Sequence, residues 1–245
     1  MEFVKNPLVG RLRKVYDYFL NHKREAIITL SILTAIIVLT VGYFFYMGSL
    51  QRRAHRSFVD TLKYFDAKVI GKDEFKEDYL NLDEFSFKSS EEKWNKVAQV
   101  FQEGYEQNKG AGIAPMFLAY QSQALLNLEK QVEAINVLRE AIKAMSNSAL
   151  KTYYKVKLAL MQIDSENKDM VNEGISLLKE ISLDQKSSAH DMVLYRLGEY
   201  YWNTKNFDEA KNYWNQLILK YGKNAEKPSV WVELARPKLK LVISK

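Results

Sequence analysis

The chain has 245 residues and a formal net charge of +6, with 27% charged and 47% hydrophobic residues, four prolines and no cysteine. Disulfide frameworks, thiol nucleophiles and cysteine-linked lipid anchors are thereby excluded. The first 47 residues carry +3 of the net charge, and the remainder interleaves 30 basic with 27 acidic side chains, so no dense basic stripe points to nucleic acid as a partner.

The first element is an uncharged run over residues 26–47, AIITLSILTAIIVLTVGYFFYM. At about 1.5 Å per residue its helix would cover about 33 Å, enough to cross a hydrocarbon core of about 30 Å. Soluble core helices are rarely so uniformly apolar, and they lack the aromatic edges supplied here by Tyr16, Tyr18 and Phe19 before the run and by Tyr43, Phe44, Phe45 and Tyr46 at its end. A cleaved signal peptide would need a shorter apolar stretch with small residues at the cut. The expectation is a transmembrane signal anchor in contact with the lipid bilayer. It is preceded by a short basic cytoplasmic segment, 1–25. Lys5, Arg11, Arg13, Lys14, Lys23 and Arg24 before the run outweigh Arg52, Arg53, Arg56 and Lys63 after it, a mild bias for an inside N-terminus.

Residues 48–89 read as a linking helix followed by an acidic and aromatic stretch. Phe58, Leu62 and Phe65 share one side of the helix over 50–70, and 73–87 resists assignment. From residue 90 to 245 the pattern is that of successive amphipathic helices, so the fold class is all-α. A helix over 90–107 presents Trp94, Val97, Phe101 and Tyr105, capped by Ser89 with Glu92, and Gly110 and Gly112 mark the turn after it.

Three helix pairs follow, with first helices over 113–128, 149–165 and 188–203. The second helices align on a small residue, Ala134, Gly174 and Ala210, followed four positions later by Leu138, Leu178 and Trp214. Separations of 40 and 36 residues make a helix-hairpin array that should stack as a solenoid. In the third pair Leu197, Gly198, Tyr201, Phe207, Ala210 and Trp214 fall at the offsets of a tetratricopeptide repeat. The first pair resembles it in Leu118, Leu125, Ala134 and Ala141, and the second least, with Met161 and Gln162 in place of the Leu-Gly pair. Asn206 and Ser188 are expected caps. The last helix should start at Pro228, carry Val230, Trp231, Leu234 and Leu239 over the third pair, and kink at Pro237.

The segments YFLNHKREAIITL, NKGAGIAPMFLAYQSQALLNLEKQVEAINVLREAI and RLGEYYWNTKNFDEAKNYW, in this order, resemble the YfgM-like family, the ancillary subunit of the bacterial SecYEG translocon. The resemblance covers most of the chain. It implies a single-pass protein of the bacterial inner (plasma) membrane with a periplasmic tetratricopeptide-like domain. It also implies association with Sec translocon subunits and with a membrane-anchored periplasmic chaperone of the peptidyl-prolyl isomerase type. It brings no catalytic residues.

The residues themselves offer no catalytic, cofactor or metal set. His22, His55 and His190 are isolated, no phosphate-cradling Gly-rich loop or G-x-S-x-G is present, and Asp73, Glu74, Glu77 and Asp78 read as a solvated helix start. The expectation is a protein that is not an enzyme and takes no small-molecule substrate, cofactor or nucleic acid. A partner groove would come from the first helices of the pairs. Candidate residues are Met116, Gln123 and Leu126 in the first pair (with Ala119), Ile163 in the second (with Val156, Ala159 and Glu166), and Met192, Tyr195, Glu199 and Trp202 in the third. On this basis Trp202→Ala should weaken partner binding with little loss of folding. Two functions compete: a scaffold holding a chaperone or client beside the secretion channel, and a cell-envelope assembly scaffold organising peptidoglycan or division machinery.

Overall fold

The computed structural model describes residues 23–70, 86–222 and 229–243. The described residues are helical, without strands: α1 Lys23–Asp66, α2 Ser90–Asn108, α3 Ala114–Asn127, α4 Gln131–Ala144, α5 Ser148–Ile163, α6 Lys168–Leu183, α7 His190–Asn203, α8 Phe207–Tyr221 and α9 Val230–Ile243. Residues 71–85, most of the unassigned acidic and aromatic stretch, and Pro228 lie outside the described residues.

Contacts divide the chain into two units, one up to Arg53 and one from Ala54 onward. In the first unit, α1 is long and apolar enough to cross a membrane, and the apolar stretch buries nothing. Ile27, Leu30, Leu33, Ile37 and Phe44 are all exposed. Thr29, Thr34 and Thr40 return their hydroxyls to the carbonyls of Glu25, Leu30 and Ile36 at 2.7–2.9 Å. Their polar groups are thus satisfied within the helix, as an apolar environment requires.

The second unit begins within α1, so Ala54–Asp66, expected as a linker, belongs to it. Phe58 and Phe65 enter an aromatic cluster. The Phe58 ring lies 5.1 Å from Phe117 and 5.3 Å from Tyr120, and Phe65 lies 5.4 Å from Trp94 and 5.1 Å from Tyr120. These edge-to-face pairs add to the burial of the rings themselves. Beyond α1, Val69 bridges Phe87 in parallel, and the Lys93 ammonium donates to the Ala67 carbonyl at 2.6 Å. α2 starts at the expected Ser89 cap, whose Oγ accepts from the Glu92 amide at 3.1 Å.

From α2 onward each helix packs on the next, and α9 packs on both α8 and α7. Three hairpins result, α3–α4, α5–α6 and α7–α8. The first and third share one turn: Glu129 and Lys205 both take φ 62°, and the amides of Lys130 and Asn206 donate to the carbonyls of Leu125 and Tyr201 at 2.9 and 2.8 Å. The left-handed residue lets the chain reverse within a three-residue turn. Asn206 caps α8 as expected, accepting from the Glu209 amide at 3.4 Å. The expected Ser188 cap is not formed. α7 begins after Ala189 without a side-chain cap, and Asp191 instead accepts from the Met192 amide and the Ser229 hydroxyl.

The middle hairpin crosses on Gly174. A Cβ there would lie 2.5 Å from the Ala159 carbonyl oxygen, 2.9 Å from Ile163 Cγ1 and 3.0 Å from Gln162 Cβ. In the other hairpins the Ser122 hydroxyl donates to the Ala134 carbonyl at 2.7 Å, and the Trp214 indole packs against Gly198. Gln162, which precedes Gly174 by the same spacing as Ser122 precedes Ala134 and Gly198 precedes Ala210, is buried and donates to the Glu173 carboxylate at 2.7 Å. With no side chain of its own, Gly174 lets α5 and α6 pack closely beside the larger Gln162. α9 runs through Pro237 as one helix and buries Val232 and Ala235 against the third hairpin.

Candidate functional site

The first helices leave two cavities between them. One, of about 330 Å³, is walled by Phe65 of α1, Trp94 of α2, Ala119, Tyr120, Gln123 and Asn127 of α3, and Tyr153, Tyr154 and Lys157 of α5. It exists because Ala119 is small where its neighbours are aromatic, and because the end of α1 supplies Phe65 as a side wall. The other, of about 660 Å³, lies between α5 and α7 and is lined by Leu160, Ile163, Asp164, Arg196, Glu199, Tyr200, Asn203 and Thr204. Tyr153, Lys157, Leu160 and Asp164 form one stripe on α5 that runs from the first cavity to the second.

The two cavities differ electrostatically. In the first, Lys157 is the one charged wall residue among the described residues, and burial lowers its pKa. Burial, with smaller contributions from Tyr120 and Tyr153, pushes the Tyr154 phenol up to about 12. In the second cavity Arg196 and Glu199 are paired. Arg196 Nη1 lies 2.7 Å from one Glu199 oxygen and Lys238 Nζ lies 2.9 Å from the other. Burial opposes ionisation of Glu199, but hydrogen bonds from Lys238, Tyr195 and Arg196 outweigh it and keep its pKa below the ordinary value. The Arg196 guanidinium also sits over the rings of Tyr195 and Trp231 at 5.7 and 5.2 Å, joining α7 to α9.

The expected groove residues separate into two groups. Gln123 lines the first cavity, while Ile163 and Glu199 face each other across the second. Met116 and Leu126 pack against the first hairpin's core and Met192 against the core between α5, α6 and α7. Tyr195 is buried, with its ring 5.2 Å from Trp231, because α9 covers that face of α7. Trp202 is partly buried against the third hairpin, 5.0 Å from Phe207 and 6.1 Å from Trp214. Its truncation therefore removes packing as well as exposed surface. Val156 and Ala159 are buried in the core that α5 shares with α6 and α7.

Sequence reasoning missed Phe65, Trp94, Tyr120, Tyr153 and Lys157. Tyr120 follows the predicted stripe residue Ala119 by one position, Lys157 follows the predicted Val156 by one, and Tyr153 lies three residues before it. Phe65 and Trp94 belong to helices that precede the predicted pairs.

His190 and Asp191 form a structural joint. The Tyr221 hydroxyl meets His190 Nδ1 at 2.9 Å, and Ser229 donates to Asp191 at 2.6 Å, which ties the start of α7 to α8 and α9. Among the described residues no group of three or more His, Cys, Asp or Glu side chains is placed to hold a metal ion. No family model matches the chain, and no curated protein sequence matches it significantly.

Proposed function

We propose that this protein is a membrane-anchored interaction scaffold whose helical hairpins, divergent tetratricopeptide-like repeats, hold a partner protein close to the bilayer. The observation that carries this reading is the aromatic cavity between α1, α2, α3 and α5, a concave apolar surface built from first helices, as a protein-binding groove requires. Residues 26–47 act as the single span of the bacterial inner membrane. Residues 1–25 are cytoplasmic and the hairpin domain is periplasmic. The anchor raises the effective concentration of the groove for partners in the same membrane. By the family resemblance those partners are Sec translocon subunits and a membrane-anchored periplasmic chaperone, and the role is the handling of secreted proteins.

The test places a photo-crosslinking amino acid at Tyr153 in the membrane-inserted protein, followed by gentle detergent extraction. Crosslinks to channel subunits or to a membrane-anchored chaperone support the proposal. Crosslinks to neither, with the protein intact and abundant, would sink it. Protease treatment of intact and permeabilised cells checks the topology: degradation of the hairpin domain in cells whose inner membrane is closed but whose outer barrier is opened is expected.

A further inference from the structure

The first cavity carries an electrostatic demand that its own walls leave unmet. Phe65, Trp94, Tyr120 and Tyr153 are apolar or aromatic surfaces, and Tyr153 is about half exposed (51%), so it is available to a ligand. Lys157 stands among them, and among the described residues it makes no ion pair. Among the described residues burial is the one cause lowering its pKa, and none of their carboxylates compensates the loss of water around its ammonium. By contrast Glu199, one of the two carboxylates lining the neighbouring cavity, is held by two cations. A half-buried ammonium facing a cavity gains most from an incoming anion, because desolvation strengthens the charge-assisted hydrogen bond it can make.

The shape decides where that anion comes from. The stripe Tyr153, Lys157, Leu160 and Asp164 leads out of the first cavity toward the second, so a bound chain continues past Lys157 instead of ending there. A volume of about 330 Å³ admits one or two large side chains and excludes a folded helix from its interior. Gln123 and Asn127 stand at the wall as amide groups that can meet a peptide backbone.

We infer that the cavity between α1, α2, α3 and α5 binds an extended segment of a partner protein by taking an aromatic or large aliphatic side chain among Phe65, Trp94, Tyr120 and Tyr153 and pairing an adjacent Asp or Glu side chain with Lys157. This rests on the scaffold reading and deepens it by naming the sequence class recognised.

The experiment uses the full-length protein in detergent micelles and a dye-labelled short peptide, blocked at both ends, carrying Phe next to Glu in a Gly/Ser background. Fluorescence anisotropy is expected to show saturable binding. Replacing the peptide's Glu by Gln weakens binding about tenfold, the loss of one charge-assisted hydrogen bond. Lys157→Met weakens the Glu peptide by a similar factor and leaves the Gln peptide unchanged. Lys157→Met is also expected to raise the thermal midpoint, because it removes a half-buried charge, so binding and stability move in opposite directions. A purely structural lysine would not do this.

Equal affinity for the Glu and Gln peptides overturns the inference, as does a Lys157→Met protein that binds both as the unsubstituted protein does. A peptide with a free C-terminal carboxylate and no acidic side chain that binds more tightly than the blocked Glu peptide overturns the choice of a side-chain carboxylate. Self-association abolished by Lys157→Met, with no peptide bound, identifies a second copy as the occupant and overturns it too. The crosslinking test at Tyr153 is independent: partner capture retained in Lys157→Met with equal peptide affinities discards the carboxylate pairing and leaves the scaffold standing.

Discussion

A Cβ on Gly174 would sit 2.5 Å from the carbonyl oxygen of Ala159, so the middle hairpin closes backbone against backbone at this point. The neighbouring positions are as tight, with Ile163 Cγ1 at 2.9 Å and Gln162 Cβ at 3.0 Å. This contact fixes the register of α5 against α6 and thereby decides which α5 residues face the cavities.

Gly174→Ala tests it. Alanine gains about 1 kcal/mol of helix propensity over glycine, but overpacking against a backbone atom costs about 1–3 kcal/mol. The net expectation is destabilisation, because a carbonyl cannot rotate away as a side chain would. A lower midpoint in thermal unfolding of the purified protein is the predicted result, and an unchanged or higher midpoint would contradict the register.

Trp202→Ala is expected to destabilise the third hairpin by about 2 kcal/mol, somewhat less than the 3–5 kcal/mol of a fully buried Trp. The ring is half-buried between Phe207 and Trp214, so part of its area already meets water. Urea titration followed by circular dichroism measures the loss. Any change in partner capture by this variant should be compared at matched folded fraction.

Acid should loosen the joint between α7, α8 and α9 in two windows. Burial, then the charge of Lys220, hold the His190 pKa below 6.5, so the folded state favours neutral imidazole at the Tyr221 hydroxyl. The unfolded chain binds that proton more readily, so stability falls as the pH drops below about 6.5. Glu199, held below its ordinary 4.5, contributes stability above that pH and loses it as the pH falls further. His190→Gln should flatten the upper limb of a plot of thermal midpoint against pH, and Glu199→Gln the lower limb. Identical slopes in both variants and the unsubstituted protein would show that neither group titrates differently on folding.

The apolar stretch of α1 predicts a membrane phenotype. Ile36 and Ile37 sit near its centre and are exposed at 55% and 56%. Aspartate at one such position costs about 2.5–3.5 kcal/mol on insertion scales, so the double substitution should cost about 5–7 kcal/mol. Alkaline extraction is expected to leave the unsubstituted protein in the membrane pellet and to release a substantial share of the Ile36→Asp, Ile37→Asp protein. Equal retention of both would argue against a span.

Helices were legible because their signals are local. The buried residues Ala134, Leu138 and Ala141 in α4 and Ala210, Trp214 and Leu217 in α8 repeat at helical spacing, and Ser89 and Asn206 mark starts with side chains that satisfy free amides. The cavity was only partly legible. Gln123, Ile163 and Glu199 were found because they lie on the exposed side of first helices. Tyr195, expected in an open groove, is buried because α9 covers it with Trp231.

By itself the sequence determined that the chain is helical, that one uncharged run is long enough to cross a bilayer, and that small residues recur inside paired helices. Each of these is a property of one helix and its period. The tertiary structure alone decided that Gly174 closes on the Ala159 carbonyl, that the end of α1 belongs with α2 and α3 through Phe58 and Phe65, and that Lys157 stands half-buried without an acidic neighbour among the described residues. The physical reason is that burial and pairing are set by the surface of a second helix, and a one-turn shift in where a hairpin turns changes that surface without altering the period of either helix.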